Sequence, residues 1–308
     1  MTTLAVLIPC YNEEAAIAKV VADFRCVLPQ AQIYVYDNNS RDKTVEVAHK
    51  AGAIVRGEPL QGKGNVVRRM FADIDADIYV LVDGDDTYDA ASAPKMIQML
   101  QHDCLDMVNG VRVTQIQKAY RPGHRFGNWL LTGMVSFVFG NRFSDLLSGY
   151  RVMSRRYVKS FPALSAGFET ETELTVHALE LRMPIAELPT PYKDRPEGSV
   201  SKLNTFRDGF RVLWTILVLA KEERPMAFFS LLALFFALFS LVLSIPVLST
   251  FFETGLVPRL PTAILSMGLM ILAFLSLACG LVLDTVTRGR REMKRMRYLN
   301  IPAPPSDF

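Results

Sequence analysis

Apolar positions fall into two regimes along the chain. Up to about residue 225 they come as short bursts, alternating with stretches in which they recur every three or four positions; from 226 to 283 they are nearly continuous. In the first regime "LAVLIP" (4–9) is a run suited to a buried strand, and "EEAAIAKVVADFRCVL" (13–28) puts Ile17, Val20, Val21 and Phe24 on one helical face. "AQIYVYD" (31–37) reads as a second strand and "DKTVEVAHKAG" (42–52) as a helix closed by Gly52. "AIVRG" (53–57), "KGNVVRRMFADI" (63–74) and "DIYVLVD" (77–83) continue as strand, helix and strand. This alternation predicts an α/β domain on a doubly wound, mostly parallel sheet. Such sheets bind ligands at the carboxyl ends of their strands. Functional residues are therefore expected in the loops after Ile8, Tyr36, Val55 and Val82.

In the second regime, Met226 to Phe252 and Leu260 to Leu283 contain no charged residue. About 20 helical residues cross the roughly 30 Å hydrocarbon core, so each segment can span a bilayer. The connection "ETGLVPR" (253–259) is too short for a domain, and the two spans form a hairpin with both ends on one side. Lys221 and Arg224 precede the first span, while Arg288, Arg290, Arg291, Lys294, Arg295 and Arg297 follow the second against a single Glu292. That bias places both ends in the cytoplasm, facing anionic headgroups. Just upstream, 204–225 puts Phe206, Phe210, Leu213, Trp214 and Leu217 near one helical face, which fits an interfacial helix or a core helix of the soluble part. The expected organisation is a cytosolic domain (1–203), an amphipathic interfacial helix (204–225), a transmembrane hairpin (226–284) and a basic cytoplasmic tail (285–308), in a multi-pass protein of the inner or cytoplasmic membrane.

Composition changes this picture little. Half the residues are hydrophobic and the net charge is only +3, too small for a nucleic-acid footprint. Cys10, Cys26, Cys104 and Cys279 form no CxxC pair, so neither a zinc site nor a disulfide framework is expected. The N-terminal apolar run is too short for a signal peptide and reads as a strand.

The fourth strand ends in Asp83, Asp85 and Asp86, three carboxylates where the chain leaves the core. Asp-Gly-Asp at such a corner suits Mg²⁺ or Mn²⁺ bridging a diphosphate, with phosphate oxygens and water completing the shell. Acidic turn chemistry is the plain alternative. Neither GxGxxG after the first strand nor GxxxxGK[ST] is present, so dinucleotide and P-loop cradles are missing. Lys63 lies between two glycines at a helix start, where it either faces the diphosphate or is simply solvated.

"IPCYNEE", "VYDNNSRDKT", "VDGDD" and "LLSGYRVMSRR", in this order over roughly residues 3–215, resemble the family 2 glycosyltransferases with the GT-A fold. Within them the chain is most similar to the polyprenyl-phosphate glycosyltransferases, which include dolichyl-phosphate mannose synthases and bacterial undecaprenyl-phosphate enzymes. The resemblance implies inverting, metal-dependent transfer from a nucleotide sugar, UDP rather than GDP, to polyprenyl phosphate, with tetramers through the hairpin in some relatives. It implies nucleotide-sugar binding by Pro9, Tyr11, Asn12, Glu13, Asp37, Lys63 and Asp83, and metal ligation by Asp85 and Asp83. Asn38 departs from relatives that have a second acid there. Arg125, Arg151, Arg195, Ser201 and Lys202 become candidates for the acceptor phosphate, with Arg151 and Arg195 counted beside Asp83 and Asp85 as catalytic. In "FETETE", Glu169, Glu171 and Glu173 are sugar-side candidates; on a helix Glu169 and Glu173 share a face. The rivals are a processive synthase with a glycan acceptor, whose Gln-x-x-Arg-Trp is absent, and a non-catalytic membrane-anchored scaffold.

Overall fold

The computed structural model describes residues 2–113, 144–165, 167, 169–195, 214, 218 and 221–304. The chain divides into two compact units, Met1–Ile216 with Met293–Phe308, and Leu217–Glu292.

In the first unit, β1 (Leu4–Cys10), α1 (Ile17–Val27), β2 (Gln32–Asp37), α2 (Thr44–Lys50), β3 (Ile54–Gly57), α3 (Lys63–Asp73) and β4 (Ile78–Leu81) alternate as the periodicity predicts. They continue as α4 (Ala93–His102), β5 (Met107–Val113), β6 (Arg151–Ser154), α5 (Arg155–Ser160), α6 (Thr170–Leu181) and β7 (Ile185–Pro191). Among the described residues the strands form one seven-stranded sheet, ordered β3-β2-β1-β4-β6-β5-β7. β1 lies parallel to β2 and β4, β2 to β3 and β5 to β7, whereas β6 runs antiparallel to β4 and β5. β4 is buried along its length, which accounts for its unbroken apolar run.

α1 buries Ile17, Val20, Val21 and Phe24, the face its 3.6-residue period marks. α5 starts where the Ser154 hydroxyl accepts the Tyr157 N–H. α6 differs in kind. It is buried nearly all round, although Thr170, Glu171, Thr172, Glu173, Thr175 and His177 are polar. Such burial is stable only where these groups find partners inside.

The second unit contains α7 (Pro225–Thr254) and most of α8 (Leu260–Leu299), both long and apolar enough to cross a membrane. Small residues let the helices approach: Ser266, Ala273, Gly280 and Thr287 of α8 are buried at seven-residue intervals, as are Ala233 and Ser240 of α7. The Ser240 hydroxyl donates to the Ser266 carbonyl at 2.7 Å, and a Cβ on Gly280 would lie 3.0 Å from that of Phe229. Leu231, Phe252 and Phe274 turn outward. The basic segment expected to begin a tail at 285 continues α8 to Leu299, in keeping with its Arg, Lys, Glu and Met content. From Met293 onward it groups with the first unit. Apart from Trp214, Val218 and 221–225, the proposed interfacial helix lies outside the described residues.

Candidate active site

The carboxyl edges of β1, β2, β3 and β4 bring their loops together. The first two loops are joined by backbone and side chain. Asn38 N–H donates to the Cys10 carbonyl at 2.9 Å, Asn12 N–H to the Ser40 hydroxyl at 2.8 Å, Arg41 N–H to Asn12 Oδ1 at 2.8 Å, and Glu13 N–H to the Thr44 hydroxyl at 2.8 Å. Pro9 and Cys10 lie in register with Tyr36 and Asp37. Asn12, Asn39 and Asp86 adopt positive φ of 51°, 64° and 56°, a conformation that Asn and Asp tolerate better than most residues. Each marks a sharp turn at the same edge of the sheet.

Asp37 is buried; its Oδ2 accepts the Ser40 N–H at 3.0 Å and its Oδ1 has no partner. A buried acceptor left open at a strand end suits a base or ribose donor. Glu14 accepts the Lys43 N–H at 2.6 Å, a local capping role. Asn38 shapes the third loop. Its Nδ2 donates to the Glu58 and Leu60 carbonyls at 2.9 and 2.8 Å, and its Oδ1 accepts the Gly62 N–H at 2.7 Å. That loop delivers Lys63, the first residue of α3.

Lys63 Nζ reaches Asp83 Oδ1 at 2.6 Å and Glu171 Oε1 at 2.5 Å. Burial alone would lower its affinity for a proton, but the two carboxylates outweigh it and hold the ammonium well above the usual lysine range. Lys63 is thus an enclosed cation, not a solvated one. Asp85 is buried, and its Oδ1 accepts the Thr87 hydroxyl at 2.6 Å while its Oδ2 pairs with Arg195 at 2.7 Å. Burial and the charge of Asp83 raise its pKa, partly offset by Thr87 and Arg195. Asp86 turns away to Lys19 at 2.8 Å.

Gly149 closes the floor, since a Cβ there would sit 2.5 Å from Asp83 Oδ2. Its N–H donates to the Tyr88 hydroxyl at 2.8 Å, and Tyr88 packs on Tyr150 and Tyr192 with ring centroids 5.5 and 5.2 Å away. The sequence offered no pattern that marked this aromatic floor, because its members lie 42 to 104 residues apart.

Two of the candidates are engaged inside the protein. Arg151 is fully buried, and its guanidinium is consumed inside the protein: it donates to the carbonyls of Leu146 at 3.0 Å, Ser148 at 3.2 Å and Glu171 at 2.9 Å, and to the Thr175 hydroxyl at 3.0 Å. In this arrangement its donors are turned to the interior, where they fix the start of α6. Glu173, expected on the sugar side, accepts the N–H groups of Leu164 and Ser165 at 2.8 and 2.9 Å and caps that loop. Glu169 occupies the N-cap position of α6 and accepts the Gly167 N–H at 3.3 Å. Of the three glutamates, Glu171 is the one that meets Lys63, which also holds Asp83. Arg125, Ser201 and Lys202 lie outside the described residues.

Asp83 and Asp85 fit a divalent cation by their donor chemistry, hard oxygens at one corner, with Asp83 paired to Lys63 and Asp85 to Arg195. Among the described residues no three His, Cys, Asp or Glu side chains form a cage. An ion here would take its remaining ligands from phosphate and water, as Mg²⁺ and Mn²⁺ commonly do.

A family model described as Glycosyl transferase family 2 matches residues 5–161. The chain is 35% identical to glycosyltransferase AglJ of Haloferax volcanii over 232 residues, 73% of this chain and 75% of that one. It is 31% identical to the dolichyl-phosphate hexose transferase of the same organism over 221 residues, 72% of this chain and 95% of that one. Protein RfbJ of Shigella flexneri is 63% identical over 123 residues, 40% of this chain and 95% of its own length. Among solved structures, glucosyl-3-phosphoglycerate synthase from Mycobacterium tuberculosis in complex with Mn²⁺, UDP and glucosyl-3-phosphoglycerate matches with a TM-score of 0.58 at 22% identity, over 70% of this chain and 80% of that chain. At that identity the likeness is one of fold.

Proposed function

The chain belongs to glycosyl transferase family 2, and from that premise we propose that it transfers a sugar, with inversion, from a UDP-sugar to a polyprenyl phosphate at the cytoplasmic face of the membrane. The observation that carries this reading is the Asp83–Asp85 corner, with Lys63 and Arg195 upon it, in a chain that also has two membrane-length apolar helices. A lipid-borne acceptor explains why a transferase domain would be joined to such a hairpin. The relative named dolichyl-phosphate hexose transferase supports the acceptor class, and the neighbour solved with Mn²⁺ and UDP supports the donor and the metal.

The chemistry asks little of a base. The acceptor phosphate is already an anion at neutral pH; one of its oxygens attacks the anomeric carbon as the bond to the diphosphate breaks, and the nucleoside diphosphate leaves with the electron pair. No proton has to be removed from the nucleophile, unlike a sugar hydroxyl acceptor. What remains is leaving-group charge and alignment. Asp83 and Asp85 would hold a divalent ion, which would supply charge stabilisation to the departing diphosphate. Lys63 orients Asp83, Asp37 is open to the nucleoside, and Glu171 lies beside Lys63 where donor sugar hydroxyls would arrive. Arg195 brings a planar guanidinium suited to phosphate oxygens.

The test is transfer of label from a panel of UDP- and GDP-sugars to undecaprenyl phosphate by the full chain in detergent, with Mg²⁺, Mn²⁺ or EDTA. Metal-dependent label in the lipid phase from one UDP-sugar is expected, abolished in Asp85→Asn. Transfer that survives both EDTA and Asp85→Asn would remove the metal role, and transfer only to a glycan acceptor would overturn the polyprenyl-phosphate reading.

A further inference from the structure

Both oxygens of Asp85 are engaged, Oδ1 by Thr87 at 2.6 Å and Oδ2 by Arg195 at 2.7 Å. We infer that Arg195 is the resident counter-ion of Asp85: a divalent cation and the Arg195 guanidinium compete for this carboxylate, and entry of the cation releases Arg195 to a phosphate group. The inference rests on the reading of Asp83 and Asp85 as metal ligands.

A buried carboxylate without a neutralising partner is strongly unfavourable. At this corner Asp83, Asp85 and Glu171 face two cations, Lys63 and Arg195. The two cations are not equally committed. Lys63 issues from the first residue of α3, is held between two carboxylates, and its side chain is 11% exposed. Arg195 is 26% exposed and lies two residues beyond Lys193, whose N–H anchors the chain to the Thr87 carbonyl at 2.8 Å. On its greater exposure, Arg195 is the counter-ion taken to leave while Lys63 stays.

A divalent ion on Asp85 Oδ2 would meet the guanidinium at contact distance, where like charges repel. Exchange of a single positive charge for a double one leaves the corner more positive. The displaced arginine then presents its donor fork to phosphate oxygens, which suit it better than they suit a lysine. Metal and phosphate binding are thereby linked through one side chain. Without a phosphate, Arg195 returns to Asp85 and the metal is held weakly.

The experiment is Mn²⁺ binding to the detergent-solubilised full chain, followed by electron paramagnetic resonance with and without UDP. Arg195→Gln is expected to bind Mn²⁺ about tenfold more tightly than the wild type in the absence of nucleotide, within the usual range of coupling between linked sites. Arg195→Lys, which keeps the charge, should stay near the wild type. Unchanged or weaker Mn²⁺ binding by Arg195→Gln without UDP overturns the inference, while the metal reading stands if both proteins bind Mn²⁺ with UDP. No Mn²⁺ binding by either protein even with UDP overturns both. With saturating Mn²⁺, Arg195→Gln should lose affinity for UDP if the donor diphosphate takes the released guanidinium, or for farnesyl phosphate if the acceptor takes it. Loss of neither overturns the release.

Discussion

Arg151 has no exposed surface, yet it is a cation whose donors reach three backbone carbonyls and a hydroxyl. Burial lowers its pKa, and the surrounding oxygens replace the water it has lost. Arg151→Leu would leave those carbonyls unpaired in the interior, and a buried unsatisfied group costs about 1–3 kcal/mol. The expected result is a large fall in the thermal midpoint, with Arg151→Lys only a partial rescue because an ammonium cannot span the same acceptors. A phosphate-binding arginine would behave in the opposite way, with an unchanged midpoint and a raised KM for the lipid acceptor. The motif "SGYR" could not distinguish these roles, since a guanidinium suits buried carbonyls as well as phosphate. His177 yields a pH-dependent prediction. It packs against Tyr157 and Phe161 at 5.5 and 5.4 Å, and burial, aided by the charge of Lys294, pushes its pKa down from 6.5 to about 3. Below about 6.5 the unfolded chain takes up a proton that the folded chain refuses, so stability falls as pH drops from that value towards 3, by up to about 1.4 kcal/mol per unit. Above that window the group contributes no slope. His177→Phe should flatten the decline; equal declines between pH 7 and 5 in variant and wild type would show that other groups cause it.

Two helix starts meet at the site. α3 contributes Lys63 and α6 contributes Glu171, and their ion pair at 2.5 Å joins residues more than 100 positions apart in sequence. A double-mutant cycle with Lys63→Gln and Glu171→Gln should give a coupling of about 1–3 kcal/mol in unfolding stability, the range for side chains in direct contact. Lys63→Gln alone should be the most damaging of the three, because it leaves Asp83 and Glu171 facing each other without a cation. Additive effects would mean that the contact is not made in solution. The elements themselves were legible from periodicity: β1 to β4 and α1 to α3 fall where the alternation of apolar bursts and amphipathic stretches puts them. The face of α6 was not. Alternate acids in "FETETE" allow several registers, and the register is decided by Glu169 at the N-cap, Glu173 folding back on Leu164 and Ser165, and Arg151 holding the Glu171 carbonyl. The Arg151 contact spans 20 residues, and the nearer contacts of Glu173 leave no mark on hydrophobic spacing. The reversed direction of β6 was equally hidden, because strand polarity depends on where a connection returns and leaves no mark on hydrophobic spacing.

At the scale of the whole chain, two apolar helices were plain from their lack of charge, whereas the use of the basic residues after them was not. Composition alone makes 287–297 a cationic flank for a membrane surface. In the structure, Lys294 pairs with Glu180, whose side chain is 2% exposed, at 2.6 Å, and the Tyr298 hydroxyl donates to the buried Asp106 at 2.7 Å. Arg156, which also binds Asp106, lies 4.8 Å over the Tyr298 ring. These partners are 114 and 192 residues away, beyond the reach of a pattern read along the chain. The last residues thus complete the unit that carries the candidate active site: Glu180 lies at the far end of α6 from Glu171, and Asp106 immediately precedes β5. A chain ending at Glu292 would keep both apolar segments and lose both contacts. Hydrogen bonds to buried charged groups are each worth about 1.5–3 kcal/mol, so the truncated protein should unfold several degrees lower and lose transferase activity in parallel. Tyr298→Phe and Lys294→Met in the full-length chain should each reproduce part of that drop while membrane insertion is unchanged, which separates stabilisation of the catalytic unit from headgroup attraction. A truncated chain that melts with the wild type, but extracts more readily from vesicles of anionic lipid, would return the segment to the role its charge alone suggests.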